Sequence, residues 1–382
     1  MSPALANEDA LAILDDYDFE LPESSIAQNA LAQRDAARLL VVDRESGALF
    51  APESEYQVRD LRHFLGPNDL LIVNATRVLP ARLVGRKATG GAAEALLLGA
   101  EPISRAADGS TESPDGRGPR FRALLKCTGR VRVGLELVLG RSPGNPARVE
   151  AIHDRGEVSL RFAPGSDPYA LGEAPLPPYI RRDASQPGDE DLERYQTVYA
   201  RAPGAIAAPT AGLHFTSELF DALRSGGTSI AEVVLHVGAG TFRPLDAEAL
   251  QSGRLHAEVY ELPSATAEAI ARTRGAGGRI VAVGTTTARV LESCCDDQGQ
   301  LAAGRGQTRL FMRPGGAPFR VVDALLTNFH LPRSSLLLLV AAFVGRESLL
   351  AAYRHAIGAG YRFYSYGDAM LITPRPGAAQ GA

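Results

Sequence analysis

Four of the seven histidines fall where predicted strands end or in the loops beside them. They are His214 in Ala211-Gly-Leu-His-Phe-Thr216, His236 in Leu235-His-Val-Gly-Ala-Gly-Thr-Phe242, His256 in Leu255-His-Ala-Glu258 and His330 in Thr327-Asn-Phe-His-Leu-Pro332. A lone histidine in such a place is usually a structural hydrogen-bonding residue. Four beside glycine-rich turns shift the balance, because glycine lets a ligand approach the backbone and imidazole exchanges protons near neutral pH. The pattern points to acid–base chemistry on a bound small molecule. We expect His214 or His236 to move the proton, with Glu258 or Asp368 as the orienting carboxylate.

A second constellation is Val281-Ala-Val-Gly-Thr-Thr-Thr-Ala-Arg-Val290, an apolar strand, a glycine turn and three hydroxyls opening a helix. The free N–H groups and positive dipole end of such a helix favour a carboxylate, a phosphate or a ribose oxygen. A well-capped structural helix would account for the same string. Other chemistries find no support. Gly238-Ala-Gly240 lacks the third glycine of a dinucleotide site, and no Gly-Lys-Ser or Gly-Lys-Thr follows a glycine-rich turn, which argues against NAD and ATP. His256-Ala-Glu258 matches half of the zinc-deaminase signature, but the P-C-x-x-C half is missing, so no metal is expected. Cys127, Cys294 and Cys295 form neither a disulfide framework nor a CxxC pair.

The elements that must position these residues change character along the chain. Residues 36–50 read as two short strands around Glu45-Ser-Gly47, and a helix is expected near Val58–Leu65. Short apolar runs separated by Gly, Pro and Asn follow from Leu70 to Phe162, the pattern of a small antiparallel barrel. Within it, residues 104–119 are rich in Gly, Ser, Asp and Pro and are expected to form a mobile loop. Beyond Pro175 strands and helices alternate, with Thr216, Ser264 and Ser334 as caps, which predicts a layered α/β domain. The start of the chain has no core of its own. The expected fold is therefore α/β, with residues 1–66 and 155–382 forming one discontinuous domain, 67–154 inserted as a β-barrel and 374–382 as a frayed tail.

The chain has 382 residues, 45% of them hydrophobic, and a net charge of −4, an ordinary globular balance with room for a large core. Its longest apolar run, Leu336 to Val344, is too short to span a bilayer, and the acidic first twenty residues are unlike a secretory leader, so a cytoplasmic protein with no membrane partner is expected. Charge is unevenly spread: Leu70 to Glu150 holds 13 Lys or Arg against 7 Asp or Glu. Arg117, Arg120, Arg122, Lys126, Arg130 and Arg132 follow one another there without an intervening acid. A solvated face would explain this stretch, and so would a nucleic-acid backbone contact through Arg120, Arg122, Lys126 and Arg130.

Longer strings decide between these readings. Phe19-Glu-Leu-Pro22, Gln33-Arg-Asp35, Arg38 to Arg44, Asn74-Ala-Thr-Arg-Val78, Arg194 to Ala200, Pro209 to Thr216, Leu235 to Phe242, Ala282 to Thr286, Leu326 to Pro332 and Ser365 to Met370 occur in order between residues 17 and 372. This series resembles the S-adenosylmethionine:tRNA ribosyltransferase-isomerases. The resemblance implies a step of bacterial queuosine synthesis, in which ribose from S-adenosylmethionine is attached and isomerised on the aminomethyl-deazaguanine (preQ1) at the tRNA wobble position, releasing adenine and methionine. It implies no bound cofactor, S-adenosylmethionine being substrate, and the chain is expected to act as a monomer. Carried onto this sequence, the motifs offer Arg34, Asp35, Asn74, Thr76, Arg77, Tyr195, Gln196, Thr210, Gly238, Gly240, Thr241, Gly284, Thr285, Thr286, Asn328, His330 and Tyr366 as substrate-binding residues. The sequence departs from the family pattern at Ala75, where that pattern carries aspartate, and in a longer, more polar loop after Glu101. Two alternatives stay open: a paralogue with another amine acceptor, and a tRNA-binding protein without catalysis.

Overall fold

The computed structural model describes residues 11–51, 55–101, 118–141, 143–182, 189–238, 240 and 245–374. It contains sixteen strands: β1 (Leu39–Asp43), β2 (Leu70–Asn74), β3 (Thr76–Val78), β4 (Arg82–Lys87), β5 (Ala92–Ala100), β6 (Arg120–Cys127), β7 (Glu136–Leu139), β8 (Asn145–Ile152), β9 (Glu157–Phe162), β10 (Ala202–Ala205), β11 (Ser229–Leu235), β12 (Arg254–Leu262), β13 (Ile280–Val283), β14 (Gly304–Leu310), β15 (Ala324–Asn328) and β16 (Ala369–Thr373). The helices are α1 (Asp189–Arg194), α2 (Ser217–Ser225), α3 (Ala247–Ser252), α4 (Ser264–Gly275), α5 (Gly284–Ser293), α6 (Ser335–Val344) and α7 (Arg346–Gly358).

Eight strands form the main sheet in the order β1-β16-β15-β13-β2-β11-β12-β14. Its centre is parallel, because β2 pairs in parallel with both β13 and β11, and β13 with β15. The residues of β2 are apolar on both faces for a reason: Leu70 and Ile72 pack into one core, Leu71 and Val73 into another. The same division separates Ile280 and Ala282 from Val281 and Val283 on β13. A strand covered by helices on both sides has to read as a continuous apolar run. Helices follow the expected signals, Thr216 capping α2 through Leu219 N–H and Ser334 capping α6 through Leu337 N–H. Ser264 does not cap; Pro263 occupies that position before α4. The Val58 region forms a 3₁₀ helix, Val58–His63, opened by a capping box between Gln57 and Asp60.

The mixed α/β class with a closed antiparallel barrel is as expected from the sequence, and the barrel runs β4-β5-β6-β9-β8-β7. Leu83, Ala95, Leu97, Ala123, Leu137, Val149 and Leu160 fill it from alternate positions. Closure between β4 and β7 needs Gly85, where a Cβ would sit 2.1 Å from the Val138 carbonyl oxygen. The boundaries 67 and 154 require correction, since barrel strands span Arg82–Phe162 and β2 lies in the middle of the main sheet. Two-sided burial of Leu70–Val73 is the sign of a central parallel strand, and true alternation starts only at β4. Residues 104–117 of the expected mobile loop and 375–382 of the expected tail lie outside the described residues. Among those described, no single helix is long and apolar enough to cross a membrane.

The basic stretch of β6 is neutralised across strands. Arg120 Nε lies 2.7 Å from Glu101 and 3.3 Å from Glu150, and Arg122 lies 3.4 Å from Glu101 and 3.2 Å from Glu157. Charge counted along one strand misses acids delivered by its neighbours. Lys126, Arg130 and Arg132 remain exposed at the barrel tip.

Candidate active site

Strands β2, β11, β13 and β15 point the same way, so the segments leaving their C-terminal ends gather at one edge of the sheet, where ligands of open α/β folds collect. Val237 and Gly238 follow β11, Gly284 to Thr286 follow β13, and Phe329 and His330 follow β15. Gly284 takes φ +85°, a left-handed conformation that turns the chain abruptly from β13 into α5. Thr285, Thr286, Arg289, Asn328, His330 and Tyr364 help enclose a cavity of about 380 Å³, within the usual range for small-molecule sites. Tyr195, Thr210 and Glu258 also line it. A second cavity of about 210 Å³ carries Gly238, Gly240 and His256 and meets the first over Glu258 and Arg289. Thr241 lies outside the described residues.

The histidines divide by environment. His214 is buried and lines only a small crevice with Arg34 and Tyr366; Asn328 Nδ2 donates to its Nε2 at 3.1 Å, so His214 reaches the main cavity through Asn328. Burial pushes its pKa down to about 4 despite the nearby negative charge of Asp368. His330 lines the cavity itself, pairs with Thr327 Oγ1 at 2.7 Å, and is pushed down by burial to about 3. Both rings are neutral at physiological pH and suited to fixed hydrogen bonding. His236 is different: it is half-buried, its Nδ1 is 2.9 Å from Thr76 Oγ1, and burial lowers its pKa from 6.5 while Glu261 works the other way. Gly204 packs closely against this ring, as a Cβ there would come within 2.7 Å of Nδ1.

The expected orienting carboxylates are engaged elsewhere. Asp368 accepts the Arg38 N–H at 3.0 Å, Arg38 Nε at 3.2 Å and the Arg362 N–H at 2.8 Å. Glu258 is buried and forms an ion pair with Arg289 and a 3.2 Å bond from Gly238 N–H. Neither carboxylate hydrogen-bonds a histidine among the described residues, because each has a guanidinium within reach and an arginine is the stronger partner.

Several motif residues build walls instead of lining the cavity. Asn74 bonds both the N–H and carbonyl of Leu235, locking the ends of β2 and β11 together beside Thr76. Gln196 does the same for Val78, and Arg34 donates to the carbonyls of Gln196, Leu213 and Glu193. Asp35 accepts from Thr216 Oγ1 at 3.3 Å, at the head of α2. Arg77 is exposed and lies 3.4 Å from the Ala200 carbonyl. Ala75 is fully buried and lines neither cavity. Residues missed from the sequence include Arg289, Tyr179 and Tyr364. The last two pack together at 4.6 Å between ring centroids as an aromatic wall of the cavity. The available signal for Arg289 was its position three residues beyond Thr286 on the same helix face.

Comparison with known proteins adds an independent line. A family model described as queuosine biosynthesis protein matches residues 14–372. The chain is 48% identical over 367 residues to an S-adenosylmethionine:tRNA ribosyltransferase-isomerase of Anaeromyxobacter dehalogenans, covering 95% of this chain and 99% of that protein. It is 46% identical over 363 residues to the protein of the same name from Geobacter metallireducens, covering 94% and 99%. A crystal structure of S-adenosylmethionine tRNA ribosyltransferase from Thermotoga maritima superposes with a TM-score of 0.51 at 35% identity, covering 94% of this chain and 99% of that one.

Proposed function

This chain belongs to the queuosine biosynthesis protein family, and we propose that it performs the reaction its relatives are named for, with the ribosyl unit of S-adenosylmethionine as donor and a base of tRNA as acceptor. Ribose is joined to the aminomethyl-deazaguanine at the wobble position and isomerised to an epoxycyclopentanediol, giving epoxyqueuosine-tRNA, with adenine and methionine as leaving products. The observation that carries this reading is the end-to-end match to such enzymes, together with a cavity of suitable size at the parallel strand ends. A reaction on tRNA belongs in the cytoplasm. A monomer and a reaction without resident cofactor complete the proposal.

The chemistry sets three demands. The sulfonium acidifies the 5′ hydrogens, so a base has to stand near C5′; adenine needs a proton as it leaves; and reactive intermediates need shelter from water. Tyr179 and Tyr364 supply an apolar wall for adenine, Asn328 and His330 supply neutral hydrogen-bonding groups, and Thr210 supplies a hydroxyl for ribose. His236 lines neither cavity itself, but its chain neighbours Val237 and Gly238 line the first and the second, and on that placement this half-buried ring is assigned the role of base. Incubating the protein with S-adenosylmethionine and deazaguanine-containing tRNA should release free adenine only when the tRNA is present. Adenine without tRNA, or none with it, would count against the assignment.

The acceptor has to be held by its backbone, and the barrel tip offers the charge for it. Replacing Lys126 and Arg130 together by alanine should weaken tRNA binding and reduce the slope of log affinity against log salt by about one for each phosphate no longer neutralised. Replacing Arg120 and Arg122, already paired with Glu101, Glu150 and Glu157, should move that slope much less. An unchanged slope in the first variant would return the tip to an ordinary solvated face.

A further inference from the structure

We propose that Arg289 and the open N-terminus of α5 form the subsite for the carboxylate at the amino-acid end of S-adenosylmethionine, with Glu258 facing the neighbouring ammonium. The inference rests on S-adenosylmethionine being the ligand of the cavity. Arg289 is only 6% exposed, yet its guanidinium is incompletely used. One terminal nitrogen pairs with Glu258, Nε donates to the Leu310 carbonyl at 3.2 Å, and Nη2 has no hydrogen-bond partner among the described residues. Gly238 N–H fixes the other side of the Glu258 carboxylate, so the guanidinium is held in place with one donor to spare.

The head of α5 is unsatisfied in the same cavity. Val283 at the N-cap offers no side-chain acceptor, the first turn holds no acid, and Thr287 Oγ1 turns back to the Val283 carbonyl at 2.7 Å. Thr286 Oγ1 is buried and has no partner among the described residues. Thr285, Thr286 and Arg289 all line the cavity. Backbone N–H groups at a helix start, a free hydroxyl and a spare guanidinium N–H together call for an anion. A buried donor without an acceptor is costly, so a ligand oxygen that satisfies it gains affinity from that need.

Charge identifies the anion. A phosphate dianion would be repelled by Glu258, which accompanies Arg289 in both cavities. An amino-acid head is a zwitterion, and it matches a buried Glu–Arg pair charge for charge without leaving net charge in the site. The aromatic wall of Tyr179 and Tyr364 then remains for the nucleoside.

The test compares two ligands that share sulfonium, ammonium and nucleoside: S-adenosylmethionine and its decarboxylated analogue. By titration calorimetry the wild-type protein should prefer S-adenosylmethionine by about 10- to 100-fold, as expected for a charge-assisted hydrogen bond. In the paired variant Glu258→Gln, Arg289→Gln, which leaves no unmatched buried charge, both ligands lose the carboxylate facing their shared ammonium, but S-adenosylmethionine should also lose its preference, its affinity falling to that of the analogue measured in the same variant. Equal binding of both ligands to the wild type overturns the inference and leaves the functional reading intact. So does a variant that weakens both ligands by the same factor, which would make the pair architectural. Failure of the wild type to bind S-adenosylmethionine at all removes the functional reading, and this inference with it.

Discussion

Replacing His236 with glutamine is expected to lower kcat by about 10²- to 10⁴-fold, the range for loss of a general acid–base group, while S-adenosylmethionine binding stays within a few-fold of the wild type. Glutamine keeps a polar side chain of similar size beside Thr76 but cannot titrate, so what disappears is the titrating ring. His236 must be unprotonated to accept a proton, and burial lowers its pKa from 6.5. Wild-type kcat/KM should therefore rise through an inflection below that value as pH increases and stay level above it, and the inflection should vanish in the variant. His214→Gln is the contrasting case. That ring is already neutral far below working pH and touches the cavity through Asn328, so its loss should appear in KM and leave the inflection in place. Recovery of S-adenosylmethionine from deuterated water gives a second readout, since reversible removal of a 5′ hydrogen leaves deuterium behind. Near-normal turnover of His236→Gln with the inflection preserved would place the base elsewhere.

What could be seen in the sequence was local. Gly284-Thr-Thr-Thr287 announces a turn into a helix because the strand, the glycine and the hydroxyls are adjacent in the chain, and the structure puts Thr285 and Thr286 on the cavity wall. The apolar runs Ala324–Asn328 and Ile280–Val283 are equally explicit, since a strand buried on both faces has no polar alternation to hide it. Partnership across the sheet is another matter. Glu258 and Arg289 lie 31 positions apart and meet only because β12 extends the sheet beyond β11, and the exposed and half-buried residues that dominate β12 and β14 hide that extension from any apolar count. Likewise Asp368, beside a catalytic-looking Tyr-Gly-Asp string, is claimed by Arg38 from the far end of the chain. The fold class follows from periodicity; the assignment of polar residues to wall or cavity follows from pairings that no local pattern encodes.

Those buried pairings also carry a thermodynamic signature. Folding takes His214 and His330 out of water in their neutral forms, with pKa values of about 4 and about 3 against 6.5 in the unfolded chain. Between these limits the unfolded state binds protons that the folded state refuses, so stability is full above about pH 6.5 and falls as pH drops. Integrating from neutral pH to pH 4, each histidine is expected to cost on the order of 3 kcal/mol. Together they represent a large part of the stability of an ordinary domain, typically about 5–15 kcal/mol. Urea unfolding at a series of pH values between 7 and 4.5 should therefore show a steep acid loss in the wild type. His214→Gln and His330→Gln should each be less stable at pH 7, where a buried hydrogen bond is disturbed, yet lose less on acidification, by close to one proton per molecule in slope. Carboxylates contribute acid dependence too, but they are common to all three proteins and cancel in the comparison. If the variants and the wild type lose stability in parallel, the two imidazoles are reached by protons without unfolding, and the neutral, fixed roles assigned to them beside Asn328 and Thr327 are wrong.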